Sequence, residues 1–187
     1  KYITFQKKHK YNLRRHLKPI LILFAASVVI TIYTNFDTSM LGFISSDYEV
    51  GLYGAALKIR FIILSFSTAV TSVLVPRMSF YLRDDDKENA KKLIEKSFRV
   101  SLDLSIPIAL FVFIFATDCI EFVSGSDFAG AVPTLRIFAI CVVPLVITNL
   151  FGNQILIPSG NEKRYSQSVF VGMFINLGLN FVMIPKL

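Results

Sequence analysis

The 187-residue chain is 53% hydrophobic, with 18 Phe and no Trp, and it is therefore far more apolar than a soluble domain of this size. Its net charge of +7 does not indicate a nucleic-acid partner, because the Lys and Arg residues lie between long apolar segments, as in a membrane protein. The two cysteines and two histidines show no metal-ligand spacing, so neither a metal site nor a cofactor is predicted.

Residues 1–18 are rich in Lys and Arg and predict a basic segment beside the cytoplasmic face of a membrane. The rest of the chain, residues 19–187, contains apolar segments near or above the ~20 residues with which a helix crosses a ~30 Å hydrocarbon core. These segments lie at about residues 19–41, 50–82, 97–117, 131–158 and 166–185. The sequence therefore predicts an all-α integral membrane protein with about five transmembrane helices.

Positive charge is distributed unevenly among the connecting loops. The N-terminal segment and the loops at 76–99 and 159–165 contain Lys and Arg, whereas the loops at 37–49 and 118–130 contain none. Under the positive-inside rule this pattern places the N-terminus in the cytoplasm of a multi-pass protein of the cell membrane. In the longest cytoplasmic loop, the acidic run at Asp84 to Asp86 predicts the start of an amphipathic helix.

The second apolar segment carries a polar face. Its members fall within about 40° of a common direction on a helix that turns ~100° per residue, and they are Gly54, Lys58, Ser65, Thr68, Ser72 and Ser79. Hydroxyl groups alone would be explained by helix packing, but a charge at membrane depth is costly. Lys58 therefore favours a water-filled cavity, and Arg60, on a different face of the same helix, is the weaker candidate for a substrate contact.

Polar residues also lie in the other apolar segments. Asp37, near the outer end of the first segment, is either a residue that caps the turn or a gate or cation ligand. Asn176 and Asn180 lie one turn apart near the middle of the last segment, where amides serve either as interhelical contacts or as cavity lining. The fourth segment ends in an amide-rich stretch, Asn149, Asn153 and Gln154.

Four sequence runs resemble the second half of a bacterial polysaccharide or O-antigen flippase. They are D-T-S-M-L-G-F from Asp37, V-G-L-Y-G-A-A-L-K-I from Val50, L-V-P-R-M-S from Leu74 and Q-I-L-I-P-S-G-N-E-K from Gln154. This family belongs to the wider group of multidrug, oligosaccharidyl-lipid and polysaccharide exporters. The resemblance covers essentially the whole chain and implies most of one lobe of a two-lobe transporter, so we expect a fragment whose N-terminal lobe is missing.

The resemblance implies a substrate, an oligosaccharide on a polyprenyl diphosphate that is moved from the inner to the outer leaflet by alternating access. The expected partners are this lipid-linked oligosaccharide, membrane lipids and the missing N-terminal lobe. The predicted substrate-binding residues are Lys58, Arg60, Ser65, Thr68, Ser72 and Asn176, with Asp37 as the gate or cation residue. We expect Lys58 to contact the diphosphate, and the alternative is a structural ion pair between Lys58 and Asp37.

Other classes of protein remain open. A cation-coupled drug or ion antiporter of the same superfamily fits the fold, although the deepest charges here are basic rather than acidic. A membrane-embedded glycosyl polymerase or acyltransferase would need a catalytic group of His, Asp or Glu residues, whereas His9 and His16 both lie in the basic N-terminal segment. A purely structural membrane subunit has no need of Lys58. The sequence thus favours a transporter over an enzyme.

Overall fold

A computed structural model describes residues 14–183, which are helical apart from short turns and contain no strand. The α-helices are α1 (Arg14–Ile44), α2 (Asp47–Ser72), α3 (Val75–Arg83), α4 (Lys87–Ile114), α5 (Ala116–Ser124), α6 (Val132–Asn149) and α7 (Glu162–Met183). A 3-10 helix, Ser126–Ala131, precedes α6, and a π-helix, Leu150–Leu156, continues it. Most of the basic segment predicted over residues 1–18 lies outside the described residues, as do residues 184–187.

Among residues 14–183, three helical stretches are long and apolar enough to cross a membrane, namely Pro19–Ile44, Lys87–Ile114 and Ser126–Leu156. Large apolar side chains are exposed on the helices and at their ends, for example Phe24, Phe43 and Phe122, which suits a surface that contacts lipid rather than water. These features confirm the predicted class, an all-α membrane protein. The count of about five spans stays a prediction.

The helix boundaries differ from the predicted segments at two places. The segment predicted over 50–82 is divided between α2 and α3, and Pro76 lies in the first turn of α3, where its missing N–H leaves no hydrogen bond unmade. Conversely, α4 is one continuous helix that includes both the amphipathic part of the cytoplasmic loop and most of the segment predicted over 97–117.

The predicted helix start in the acidic run is confirmed, since Asp86 caps the N-terminus of α4. Its carboxylate accepts hydrogen bonds from the backbone N–H of Asn89 at 3.1 Å and from the side-chain amide of Asn89 at 2.7 Å. Both bonds favour the ionised carboxylate and lower the pKa of Asp86 below its ordinary value. The cap satisfies a backbone donor that the first turn of a helix cannot pair internally.

The core lies among α2, α4, α5 and α6 and is made largely of small and branched apolar side chains. Small residues allow helix backbones to approach closely within a membrane. The buried members include Ala55, Ala56, Ile59 and Ile63 of α2, Ala109 and Val112 of α4, Ile120 of α5, and Leu135, Ala139, Val142 and Val146 of α6. Helices α1 and α7 pack against each other beside this core. Polar residues line one space where α1 and α7 meet α2 and α6, and a second space between α2 and the end of α6.

Candidate functional site

A first polar cavity, of about 490 Å³, lies where α1, α2, α6 and α7 meet. It combines one acidic and one basic side chain with hydroxyl, amide and aromatic groups. Its lining is formed by Thr34, Asn35, Asp37 and Thr38 of α1, Tyr53, Leu57, Arg60 and Phe61 of α2, Phe138, Cys141, Pro144, Leu145 and Thr148 of α6, and Asn176 of α7. Three of the predicted site residues, Asp37, Arg60 and Asn176, are therefore brought together by helices that are distant in sequence.

Hydrogen bonds from α7 hold the Asp37 carboxylate in this cavity. The side-chain amide of Asn180 donates to Asp37 Oδ1, and it also lies 3.3 Å from Asn176 Oδ1, to which it donates. Asn180 thus makes an interhelical contact and Asn176 lines the cavity, so both roles left open for these asparagines occur. Because the bond from Asn180 to Asp37 joins α7 to α1, the position of Asp37 depends on how these two helices pack.

Arg60 is held in the cavity by aromatic rings. Its guanidinium carbon lies 5.1 Å from the ring centre of Phe138 and 5.8 Å from that of Phe61, distances typical of cation–π contacts. Tyr53 packs edge-on against Phe138, with ring centres 5.6 Å apart, and so helps to fix that ring. The buried Nε of Arg60 has no hydrogen-bond partner among the described residues. The guanidinium therefore keeps hydrogen-bonding capacity for an anion.

A second cavity, of about 430 Å³, lies between α2 and the end of α6 with its π-helix. None of the described residues that line it is charged; they are Ser65, Thr68, Ala69, Ser72, Val75, Asn149, Asn153 and Gln154. Ser65, Thr68 and Ser72 each donate their hydroxyl proton to a backbone carbonyl of α2 at 2.8 Å. Toward the cavity these hydroxyls therefore present mainly oxygen lone pairs.

All the predicted site residues except Lys58 line one of these two cavities. Lys58 lines neither of them. Its side chain is exposed on α2, and Gly54, one turn away, has open space where a Cβ would stand. Within the part of the chain that the structure describes, Lys58 and Asp37 form no ion pair, since the ion pairs found there lie within residues 83–95. Arg60, the weaker candidate from sequence, is the cation that shares a cavity with Asp37.

Sequence reasoning missed three residues that shape the cavities. Tyr53 and Phe138 lie in apolar segments in which aromatic residues are common, so nothing in the sequence distinguishes them. Gln154 belongs to the amide-rich stretch at the end of the fourth segment, and the structure buries it to 2% exposure. That stretch was a usable signal, but nothing in the sequence shows which neighbouring helix its amides meet.

The long apolar helices and the polar cavities between them define an all-α, multi-pass membrane protein. The family described as polysaccharide biosynthesis protein matches residues 4–133, and the chain belongs to this family. The resemblance to polysaccharide flippases noted from the sequence is thereby confirmed. No solved structure is significantly similar to the chain.

Three relatives are similar along most of this chain. A protein named as an O-antigen transporter in Escherichia coli strain K12 is 25% identical over 171 residues, which is 91% of this chain and 41% of the relative. A protein named as a low-salt glycan biosynthesis flippase in Haloferax volcanii is 26% identical over 154 residues, 81% of this chain and 32% of the relative. An uncharacterized membrane protein of Methanocaldococcus jannaschii is 25% identical over 185 residues, which is 98% of this chain and 36% of the relative.

The chain thus spans between 32% and 41% of the length of these relatives. The two functional names describe a transporter and a flippase rather than an enzyme, in agreement with the class favoured by the sequence.

Proposed function

We propose that this chain is part of a flippase of the cell membrane, with its N-terminus in the cytoplasm. In this proposal the full protein moves an oligosaccharide linked to polyprenyl diphosphate from the inner to the outer leaflet by alternating access. The observation that carries the proposal is Arg60, a half-buried cation in a polar cavity, with an Nε that has no hydrogen-bond partner among the described residues. The family and the names of two relatives support it.

Arg60 is suited to a diphosphate because guanidinium groups bind phosphate oxygens through two parallel, charge-assisted hydrogen bonds. The contacts with Phe138 and Phe61 hold the guanidinium without using its N–H groups. In the absence of substrate, the carboxylate of Asp37 in the same cavity offsets the positive charge. A diphosphate that binds Arg60 replaces part of this interaction, and the substrate thereby alters the contacts among α1, α2 and α7.

Lys58 is the second cation of the proposed site. It lies two residues before Arg60 on an exposed face of α2, next to the open space at Gly54. We place this face toward the central cavity of the full protein, where an ammonium group attracts the diphosphate as a point charge. Arg60 then binds the diphosphate within the lobe.

The proposal is tested by the export of lipid-linked oligosaccharide in cells that produce the full-length protein. Arg60→Ala and Lys58→Ala should each lower export about tenfold or more, since a hydrogen bond to a charged group is worth roughly 1.5–3 kcal/mol. Both proteins should keep normal membrane abundance, and Lys58→Arg should retain part of the export.

Arg136→Ala is the matched control. The Arg136 guanidinium also lies over an aromatic ring, 6.0 Å from the centre of Phe113, but Arg136 lines neither cavity, so this variant should export normally. Normal export by both Arg60→Ala and Lys58→Ala would contradict the proposed substrate site.

A second candidate function is supported by Asp37. A carboxylate that faces a polar cavity and is fixed by Asn180 is suited to bind a coupling cation, as in a drug or ion antiporter of the same superfamily. Vesicles that contain the full-length protein distinguish the two functions. Drug transport driven by a sodium or proton gradient, with no movement of lipid-linked oligosaccharide, would favour the antiporter.

A further inference from the structure

Gln154 is a buried amide whose hydrogen-bonding groups are unused. The residue is 2% exposed, and neither its Nε2 nor its Oε1 has a hydrogen-bond partner among the described residues. Burying an amide without partners costs free energy, and an apolar side chain of the same shape would avoid this cost. The packing of the helix therefore does not explain why a glutamine lies here, whereas a ligand in the second cavity, which Gln154 lines, does.

The π-helix sets the position of Gln154 at the cavity wall. Residues Leu150–Leu156 leave the α-helical path of α6, and π-helical turns of this kind occur frequently at functional sites. Gly152 lies within this segment against the ring of Tyr165, since a Cβ added at Gly152 would stand 2.7 Å from Tyr165 Cε2. The close contact between Gly152 and α7 fixes the π-helix laterally, and with it the neighbouring Gln154.

The chemistry of the second cavity suits an uncharged ligand that is rich in hydroxyl groups. Ser65, Thr68 and Ser72 present oxygen lone pairs because their protons are already donated to α2, and Gln154 adds N–H donors and a carbonyl acceptor. No described lining residue is charged. The volume of about 430 Å³ falls within the roughly 300–1,000 Å³ of small-molecule sites.

We propose that the second cavity binds a sugar residue of the substrate, with Gln154 as its central hydrogen-bonding partner. This inference rests on the proposed flippase function and adds a place for the uncharged part of the same molecule. Arg60 and Ser65 are five residues apart on α2, about 7.5 Å along the helix. The two cavities share no lining residue and meet different faces of α2, and in this proposal one molecule extends from one to the other, with its diphosphate at Arg60 and a sugar at Gln154.

The test measures ligand binding to the purified full-length protein and its Gln154→Met variant. Methionine has a similar shape but cannot pair with a hydroxyl group. Two ligands are compared, namely the lipid-linked oligosaccharide and the same polyprenyl diphosphate without sugars. We expect the variant to bind the oligosaccharide ligand about tenfold more weakly, since it loses one or two hydrogen bonds, and to bind the sugar-free ligand normally. Its melting temperature should be unchanged or higher, because an unpaired buried amide is removed.

Ser105→Ala is the control for the loss of an unpaired buried polar group. Ser105 is 0% exposed and its Oγ has no hydrogen-bond partner among the described residues, but it does not line the second cavity. This variant should bind both ligands normally. Asn153→Ala, at an exposed residue of the cavity wall, provides an independent test and should weaken binding of the oligosaccharide ligand alone.

The outcomes separate the sugar site from the flippase function. A wild-type protein that binds neither ligand contradicts the proposed function and the sugar site with it. Normal binding of the oligosaccharide ligand by Gln154→Met overturns the sugar site alone, as does an equal loss for both ligands. If Gln154→Met fails to fold, Asn153→Ala decides: weaker binding of the oligosaccharide ligand supports the sugar site, and normal binding overturns it.

Discussion

At the scale of single residues, Asp37 has two separable properties, its shape and its charge. Asn180 donates a hydrogen bond to its Oδ1, and an asparagine at position 37 could accept the same bond through its carbonyl oxygen. The contact between α1 and α7 thus requires an oxygen acceptor at this position. A gate or cation role requires the negative charge.

We therefore predict that Asp37→Asn in the full-length protein loses most of its transport activity but keeps its thermal stability. Asp37→Ala should lose both, because it removes the hydrogen bond that joins α1 to α7 and leaves the Asn180 amide only its contact with Asn176 in the same helix, at a cost of about 1–3 kcal/mol. Export and melting temperature are measured on the same preparations. If Asp37→Asn transports at the wild-type rate, the charge of Asp37 has no role in transport.

The division of the predicted residues between two cavities shows what the sequence can predict at this scale. The angular positions of Lys58, Arg60 and Ser65 on one helix follow from ~100° per residue, so their faces could be predicted. Which neighbour each face meets depends on the packing of α6 and α7, which begin only at Val132 and Glu162 and are therefore distant in sequence. The contacts of Arg60 with Phe138 could not be predicted for this reason.

At the scale of secondary structure, signals from single residues were reliable where they act on the local backbone. Asp86 begins α4 because its side chain pairs with the backbone of Asn89, whereas Pro76, in the first turn of α3, lies inside a segment that was predicted to be continuous. The π-helix was not predicted from the sequence, and its close contact joins Gly152 to Tyr165 of another helix. A sequence therefore predicts helix starts better than it predicts a change of helix type.

The contact at Gly152 leads to a prediction about stability. An alanine Cβ there would stand 2.7 Å from Tyr165 Cε2, so the aromatic ring has to move, and overpacking of this kind typically costs about 1–3 kcal/mol. Gly152→Ala should therefore lower the melting temperature of the full-length protein in detergent. The double variant Gly152→Ala with Tyr165→Leu should recover part of the loss, since the clashing ring is removed.

Gly172→Ala is the matched control for this substitution. Gly172 is also in a helix, but a Cβ there meets no atom within 4 Å. Its replacement should be neutral or stabilise α7 by about 0.5–1 kcal/mol, because alanine loses less backbone entropy in a helix. Equal melting temperatures for Gly152→Ala and Gly172→Ala would show that the contact with Tyr165 does not fix the π-helix.

At the scale of the whole molecule, composition predicted the class of protein more securely than the number of spans. Apolar segments must form helices within a bilayer, because every backbone polar group there needs an internal partner, and the all-helical fold follows. In the part of the chain that the structure describes, three stretches meet the requirements of length and hydropathy. The segments that contain α2 and α7 are the most polar of those predicted, with Lys58 and Arg60 in α2 and Asn176 and Asn180 in α7. The cations of α2 and the amides of α7 thus weaken the membrane signal, whereas Asp37 and Gln154 line cavities from stretches that keep it.

The orientation of the chain leads to the last prediction. The turns near Asp47 and Asp127 lie together, since the hydroxyl of Tyr48 donates to the backbone carbonyl of Asp127 at 3.3 Å. No Lys or Arg lies in the loops at 37–49 and 118–130, whereas the loops that contain Asn89 and Asn161 are basic. The positive-inside rule then places the first pair of turns outside the cell and the second pair in the cytoplasm.

Single cysteines test this orientation in the full-length protein. Cys119 and Cys141, which are free thiols, are first replaced, Cys119 by serine and Cys141 by alanine, so that only the introduced cysteine reacts in this part of the protein. Cysteines at positions 47 and 127 should react with an impermeant thiol reagent added to intact cells. Cysteines at positions 89 and 161 should react only after the membrane is made permeable, which controls for their accessibility. Because Tyr48 links the first two turns, positions 47 and 127 should give the same result. Labelling of either position 89 or position 161 in intact cells would refute the orientation.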